Sequence, residues 1–202
     1  IVVNKSSGVN YASKTNGKGK SIFDLTSSYL RRKYPNQQGL HLIHSMDNQE
    51  SGLCVFARSK HAQQKMIEQW NEVELEYYTI LQSPLKHKNE TFIFETQEKK
   101  IKIMYQFIDS LNYFNDSLSL VNISGLGLSG SDCRKAFAEK GNPIVADLTY
   151  GATEFANNYL KLCCHTIKFS HPFTQKSIKI TMNPPKGFNT INPPYKKLYG
   201  HK

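Results

Sequence analysis

The stretch HSMDNQESGLCVFAR, residues 44–58, joins two kinds of chain. Leu53 to Ala57 is an unbroken apolar run and reads as a buried strand. The polar run that feeds it carries Asp47 at the strand's mouth. An ionised carboxylate resists leaving water, so its place at the edge of a core asks for a reason.

The elements around this strand follow from periodicity and punctuation. Ile1 to Asn4 is a short apolar strand, and a Gly/Asn/Lys-rich loop covers residues 13–20. Ser21 to Tyr34 has the spacing of a helix with Ile22, Leu25 and Tyr29 on one face, stopped by Pro35. After Ser59 as N-cap, residues 60–71 place Ala62, Met66, Ile67 and Trp70 at helical spacing and predict an amphipathic helix with those four in the core. From Glu76 onward the period changes to two. Tyr77 to Leu81, Phe92/Phe94, Ile101/Ile103/Tyr105/Phe107 and Leu118/Leu120 each predict a strand with one buried face. Asn115-Asp116 supplies a turn between the last two and points to antiparallel pairing. A helix is predicted from Asp132, as N-cap, to Lys140, with Gly141 as its stop. Ile167/Phe169 and Ile178/Ile180/Met182 close the sheet. The sum is an α+β fold, a mixed and largely antiparallel sheet with flanking helices. One domain is expected over residues 1–185, followed by a Pro-, Asn- and Lys-rich tail, 186–202, with little sign of a core.

The chain has 202 residues, enough for one sizeable core, and no apolar run long enough to cross a bilayer, so a soluble protein is expected. Twenty-six Lys and Arg oppose sixteen acids, for a net charge of +10. That balance favours a polyanionic partner, nucleic acid before a membrane surface. The excess gathers before Asp47, where Lys5, Arg31, Arg32 and Lys33 lie, and from Lys186 onward, where Lys196 and Lys197 lie. Cys54, Cys133, Cys163 and Cys164 show no metal-ligand or CxxC spacing and read as buried thiols in a reducing compartment, cytoplasm or mitochondrial matrix. The chain opens at Ile1 without a methionine, so any targeting segment would lie outside it.

Several chemistries can be weighed from motifs. GLGLSG, residues 125–130, matches GxGxxG and precedes a helix, but one-sided antiparallel strands are the wrong setting for a dinucleotide site. No GxSxG, HExxH or Cys/His zinc pattern is present, so neither a serine hydrolase nor a metal is implied. Read alone, Tyr77 is a packing tyrosine, Arg134 a solvated helix residue, and His44 and His165 structural.

Five segments taken together say more. HSMDNQESGLCVFAR resembles the signature of the RluA-type pseudouridine synthases, H-R-L-D, two variable residues, T-S-G-L and an apolar strand ending in Ala-Lys or Ala-Arg. His44, Asp47, Ser51, Gly52, Leu53 and Ala57-Arg58 match it. VVNKSSG (2–8) is similar to the family's VVNKPAG, and GNPIVADLTYG (141–151) to its GHPIVGDxxYG. LCCH with IKFSHP (162–172) resembles its late LxLHA and FxHP segments, and NPP (183–185) its closing APLP.

The resemblance implies an enzyme that isomerises uridine to pseudouridine in structured RNA, ribosomal or transfer, without metal or organic cofactor. Asp47 would be the catalytic residue, acting by attack on sugar or base or by removing a sugar proton. Tyr77, at the tyrosine of the family's K-x-Y, would stack on the flipped uracil and relay the proton from its C5. Arg134, at the arginine of H-Q-I-R, would pair with Asp47 and keep it ionised in a partly dry cleft. RNA would meet Lys5, Arg31, Arg32, Lys33, Arg58, Lys196 and Lys197, with His44 and Ser45 at the cleft.

The departures fall at the site as well. The arginine of H-R-L-D, which helps evict the base, is Ser45, and the lysine of K-x-Y is Leu75. G-R-T-H-Q becomes LSGSDC, residues 128–133, and the threonine of T-S-G is Glu50. Extracting a base costs a few kcal/mol, and the missing groups are those that would offset it. Two readings follow: a working RNA isomerase, or a non-catalytic homologue serving as a ribosomal component or assembly factor, mitochondrial included, among ribosomal subunit proteins.

Overall fold

A computed structural model describes residues 1–12, 20–36, 39–113, 116–153 and 159–191. Its strands are β1 (Val2–Lys5), β2 (His41–Leu42), β3 (Ser51–Ala57), β4 (Glu74–Leu81), β5 (Asn89–Glu95), β6 (Lys100–Tyr113), β7 (Asp116–Leu126), β8 (Leu162–Ser170) and β9 (Ser177–Thr181). The helices are α1 (Ile22–Lys33), α2 (Lys60–Glu68) and α3 (Gly130–Glu139). The strands form one sheet in the order β1-β3-β8-β4-β7-β6-β5, with β2 also on β3 and β9 on β8. Strands β3 and β8 run parallel, and the other pairings are antiparallel among the described residues. The α+β class read from the sequence is the one observed. No helix among the described residues is long and apolar enough to cross a membrane.

The run Leu53 to Ala57 is continuous because β3 is covered on both faces. Leu53, Val55 and Ala57 pack with Met66 of α2 and with Leu75 and Tyr77 of β4 in the main core. Cys54 and Phe56 face the other way, into a smaller core with Tyr11, Leu40 and Leu30 of α1. Gly52 makes this geometry possible: its φ is +106°, and a Cβ there would overlap the backbone of Cys164 on β8.

Three helix expectations need correction. Helix α1 buries Thr26 and Leu30, while Leu25 and Tyr29 are exposed. The buried row runs Ile22, Thr26, Leu30, and Thr26 fits an apolar seam because its hydroxyl donates to Ile22 O at 2.7 Å. Helix α2 ends at Glu68 and continues as a 3-10 turn, Trp70–Glu72, which leaves Ile67 half exposed rather than in the core. Helix α3 is capped by Ser129; Asp132 is its third residue and closes a reciprocal capping box with Ser129.

The hairpin of β6 and β7 is longer than its alternating pattern suggested, pairing from Met104↔Ser124 to Tyr113↔Asp116 with an irregularity between Phe107 and Asp109. Asn115 of the expected turn lies outside the described residues, as do residues 13–19 of the expected loop. The boundary expected at residue 185 does not separate packed chain from unpacked. Phe188 is buried with Ile80, Leu118 and Val145, and the buried Lys161 donates to Phe188 O and Thr190 O at 2.9 and 2.8 Å.

Candidate active site

Asp47 sits on the loop that enters β3, and that loop is tied down from below. Lys5, at the end of β1, is fully buried, and its ammonium donates to the carbonyls of Ser6, Val9, Asn48 and Glu50. The expectation that Lys5 touches RNA is therefore corrected. It is an internal strut, which a long cation can be when several carbonyls replace its water. On the loop, Gln49 N–H donates to Asp47 Oδ1 at 2.9 Å. The Asp47 side chain is 46% exposed, so the acid stands at the rim in contact with water rather than in a dry recess.

Arg134 reaches Asp47 from α3, but Asp47 is not its main partner. Its Nε and Nη2 donate to Asp147 Oδ2 and Oδ1 at 2.7 and 2.8 Å, a bidentate pair in which Asp147 is wholly buried. The Tyr150 ring lies 4.9 Å from the guanidinium carbon. The remaining nitrogen, Nη1, stands 3.5 Å from Asp47 Oδ2 and 3.7 Å from Glu50 Oε1. Burial alone would lower the pKa of Arg134, but its hydrogen bonds to Asp147 and the charges of Asp147, Glu50 and Asp47 raise it, so it stays a cation. Arg134 is thus no solvated helix residue. Asp147 and Tyr150 belong to the ADLTYG segment, which supplies the support for Arg134.

Beside Asp47 opens a cleft of about 390 Å³, in the range of small-ligand sites. Tyr77 forms part of its wall from β4, only 5% exposed, with its hydroxyl donating to Leu128 O at 3.0 Å. Burial holds that phenol well above its usual pKa. His44 lines the cleft with its ring stacked on Trp70, centroids 4.7 Å apart. Val55 N–H donates to His44 Nε2 at 3.1 Å, so Nδ1 carries the proton toward Ser45 O. Burial pushes the imidazole down to about 4. His44 is therefore a neutral ring with both nitrogens engaged. Ser45, Glu50, Ile67 and Lys99 are among the other residues of its lining.

Tyr77, His44 and Ser45 line the cleft, while Asp47 and Arg134 pair with each other beside it and meet it through Glu50. Arg31, Arg32 and Lys33 are exposed in the last turn of α1, and Arg58 lies over the Tyr34 ring at 5.2 Å; none of the four lines the cleft. Lys196 and Lys197 lie outside the described residues. Sequence reading missed a second basic surface. A groove of about 470 Å³ adjoins the cleft through Asn71, Lys99 and Gly127 and is lined by Lys100 and Lys102. Alternation along β6 could have found it, since Lys100, Lys102 and Met104 share that strand's outward face.

A nine-stranded sheet with an acid at the mouth of a doubly covered strand, held by an arginine from the helix beyond β7, defines the class. The chain belongs to the RNA pseudouridylate synthase family, whose profile matches residues 1–136, and within it to the RluA type. It is 27% identical to the ribosomal large subunit pseudouridine synthase C of Haemophilus ducreyi, over 90% of this chain and 62% of that protein. The protein of the same name from Pasteurella multocida is 26% identical over 99% of this chain and 64% of its own length. The chain therefore spans somewhat under two thirds of these relatives. Among solved structures, human RNA pseudouridylate synthase domain containing 1 superposes with a TM-score of 0.68 at 19% identity, covering 91% of this chain and 79% of that one. Human RNA pseudouridylate synthase domain containing 4 gives 0.70 at 15% identity, covering 93% and 86%. These two share the fold.

Proposed function

We propose that this protein isomerises uridine to pseudouridine in RNA, with Asp47 as the reacting carboxylate. The observation that carries this reading is the placement of Asp47 within reach of Arg134 and against Glu50, which lines a cleft walled by Tyr77. The reaction moves the sugar carbon C1′ from N1 to C5 of the same uracil. The C1′–N1 bond breaks, a C1′–C5 bond forms, C5 loses its proton and N1 gains one. Asp47 acts on the glycosidic unit from beside the cleft, Tyr77 walls the space for the extruded base, and Arg134 steadies Asp47. The relatives' names favour a ribosomal RNA substrate. The groove of Lys99, Lys100 and Lys102 beside the cleft is suited to the flanking phosphates.

One observation favours the second reading, an RNA-binding homologue without catalysis in a ribosomal, including mitochondrial, setting. The cation lining the cleft, Lys99, is paired with Asp132 at 2.8 Å, and Glu50 adds an acid. Release of tritium from 5-tritiated uridine in RNA decides between them. Release that disappears in Asp47→Ala supports the isomerase; no release from any cellular RNA, with co-sedimentation on ribosomal particles, supports the other.

A further inference from the structure

Glu50 stands where the family resemblance has a threonine, and its carboxyl group is buried beside Asp47. Its Oε1 lies 3.7 Å from Arg134 Nη1, and its Oε2 takes a long hydrogen bond, 3.4 Å, from Asp47 N–H. The space it fills exists because α3 begins with Gly130: a Cβ there would overlap the Glu50 carboxyl group. The carboxyl group therefore sits against the positive end of α3, lines the cleft, and faces a guanidinium nitrogen that Asp47 also needs.

We propose that Glu50 is a positioning residue for Asp47, competing with it for Nη1 of Arg134, so that losing a proton at Glu50 loosens Arg134 from Asp47 and gaining one tightens it. This rests on reading Asp47 as the reacting carboxylate. Nη1 carries two N–H groups, but at 3.5 Å from Asp47 Oδ2 and 3.7 Å from Glu50 Oε1 it is tight to neither, and with Nε and Nη2 fixed on Asp147 a tilt of the guanidinium toward one carboxylate draws it from the other. The groups that act on Glu50 come from several elements. Arg134 of α3, the N–H of Asp47 and Lys5 of β1 favour its ionised form, and the Asp47 carboxylate of its own loop opposes it. Tyr77 of β4, Cys133 of α3 and Cys164 of β8 face it as neutral groups whose ionisation it resists. Asp132 is held by Lys99. Burial dominates and pushes the Glu50 carboxyl up to about 7, which puts the competition within the neutral range.

The neutral fraction of one such group falls about tenfold between roughly pH 6 and pH 8. The isomerisation rate constant should fall by a similar factor over that interval, with KM for RNA nearly constant. Glu50→Gln, which keeps the shape without the charge, should lose this alkaline fall. The test is carbon-13 NMR of the carboxyl groups of the whole chain and of Glu50→Gln from about pH 5 to pH 9, alongside rates of pseudouridine formation. The Asp47 resonance is expected to show an inflection at the Glu50 midpoint in the unaltered protein and none in the variant. An Asp47 resonance indifferent to Glu50 overturns the proposal, and so does an alkaline fall in rate that survives in Glu50→Gln. The titration of the unaltered protein decides even if the variant does not fold. An inflection in a protein that makes no pseudouridine at any pH would overturn the proposed activity and leave the coupling standing.

Discussion

Arg134 donates two nitrogens to the buried Asp147 and turns the third to Asp47, 3.5 Å away at the rim. Asp147 thereby fixes the guanidinium in one plane before any substrate arrives, and Tyr150 stacks against it at 4.9 Å. Preorganisation of this kind matters because the cleft need not reorient a long, flexible side chain at the moment of reaction.

Arg134→Ala should therefore cost more than activity. It leaves Asp147 as a buried charge without its partner, a loss of about 3–5 kcal/mol where such pairs are broken on one side. Urea unfolding should show this as a large drop in midpoint. Replacing both partners, Arg134→Met with Asp147→Leu, should restore much of the stability while activity stays absent. A stable, active Arg134→Ala would show that the pair supports neither fold nor site.

His44 gives a pH dependence of stability. Its folded pKa, about 4, lies below the ordinary imidazole value of 6.5, so the unfolded chain takes up the proton first as pH falls. Its stabilising contribution is complete above about 6.5 and is lost as pH drops toward 4, at up to roughly 1.4 kcal/mol per pH unit. Glu50 has the opposite sign: raised from 4.5 to about 7, it weakens the fold as pH rises through that interval. Denaturant melts at pH 5 and pH 8 separate the two. His44→Asn should flatten the acid loss, and Glu50→Gln should gain stability at pH 8 and little at pH 5.

Most of the sheet was legible because one-sided strands alternate, as Ile101, Ile103 and Tyr105 do. The loop acid Asp47 was legible only through the family signature, since nothing in local pattern separates it from a solvated turn. The faces of α1 were misread because Thr26, a polar residue by type, satisfies its hydroxyl on the preceding turn and is buried. Lys5 was misread for a related reason: its four carbonyl partners come from the turn after β1 and from the Asp47 loop, an arrangement that charge counting does not see. Asp147 lay in a quoted segment, but its pairing with Arg134 spans a turn and a helix end that only the folded chain brings together.

The segment from Lys186 to Thr190 carries contacts on which the core depends. Truncation after Thr181 or Pro185 removes Phe188 from its core and leaves Lys161 buried without Phe188 O and Thr190 O, so a loss of at least about 3 kcal/mol is expected. Truncation after Ile191 tests the basic residues beyond it. That second truncation removes Lys196, Lys197 and Lys202, and RNA affinity measured against salt should lose up to about three units of slope if all three meet phosphate. An unchanged slope would mean that none of these three lysines meets phosphate.

Two glycines near Asp47 should respond differently to the same substitution. At Gly52 a Cβ meets the backbone of Cys164, which β3 and β8 hold in register, and φ is +106°, where L side chains are strained. Gly52→Ala should cost roughly 3 kcal/mol or more and disorder the loop carrying Asp47. At Gly130 the obstacle is the end of the Glu50 side chain, which can swing toward the cleft. Gly130→Ala should therefore fold within about 1 kcal/mol of the unaltered protein, helped by the better helix propensity of alanine. Its consequence is local, since displacing Glu50 leaves Arg134 Nη1 to Asp47. Melting curves of the two variants, with Glu50→Thr/Gly130→Ala as the relieved combination, check this. A Gly130→Ala protein as unstable as Gly52→Ala would mean that Glu50 cannot move out of its recess.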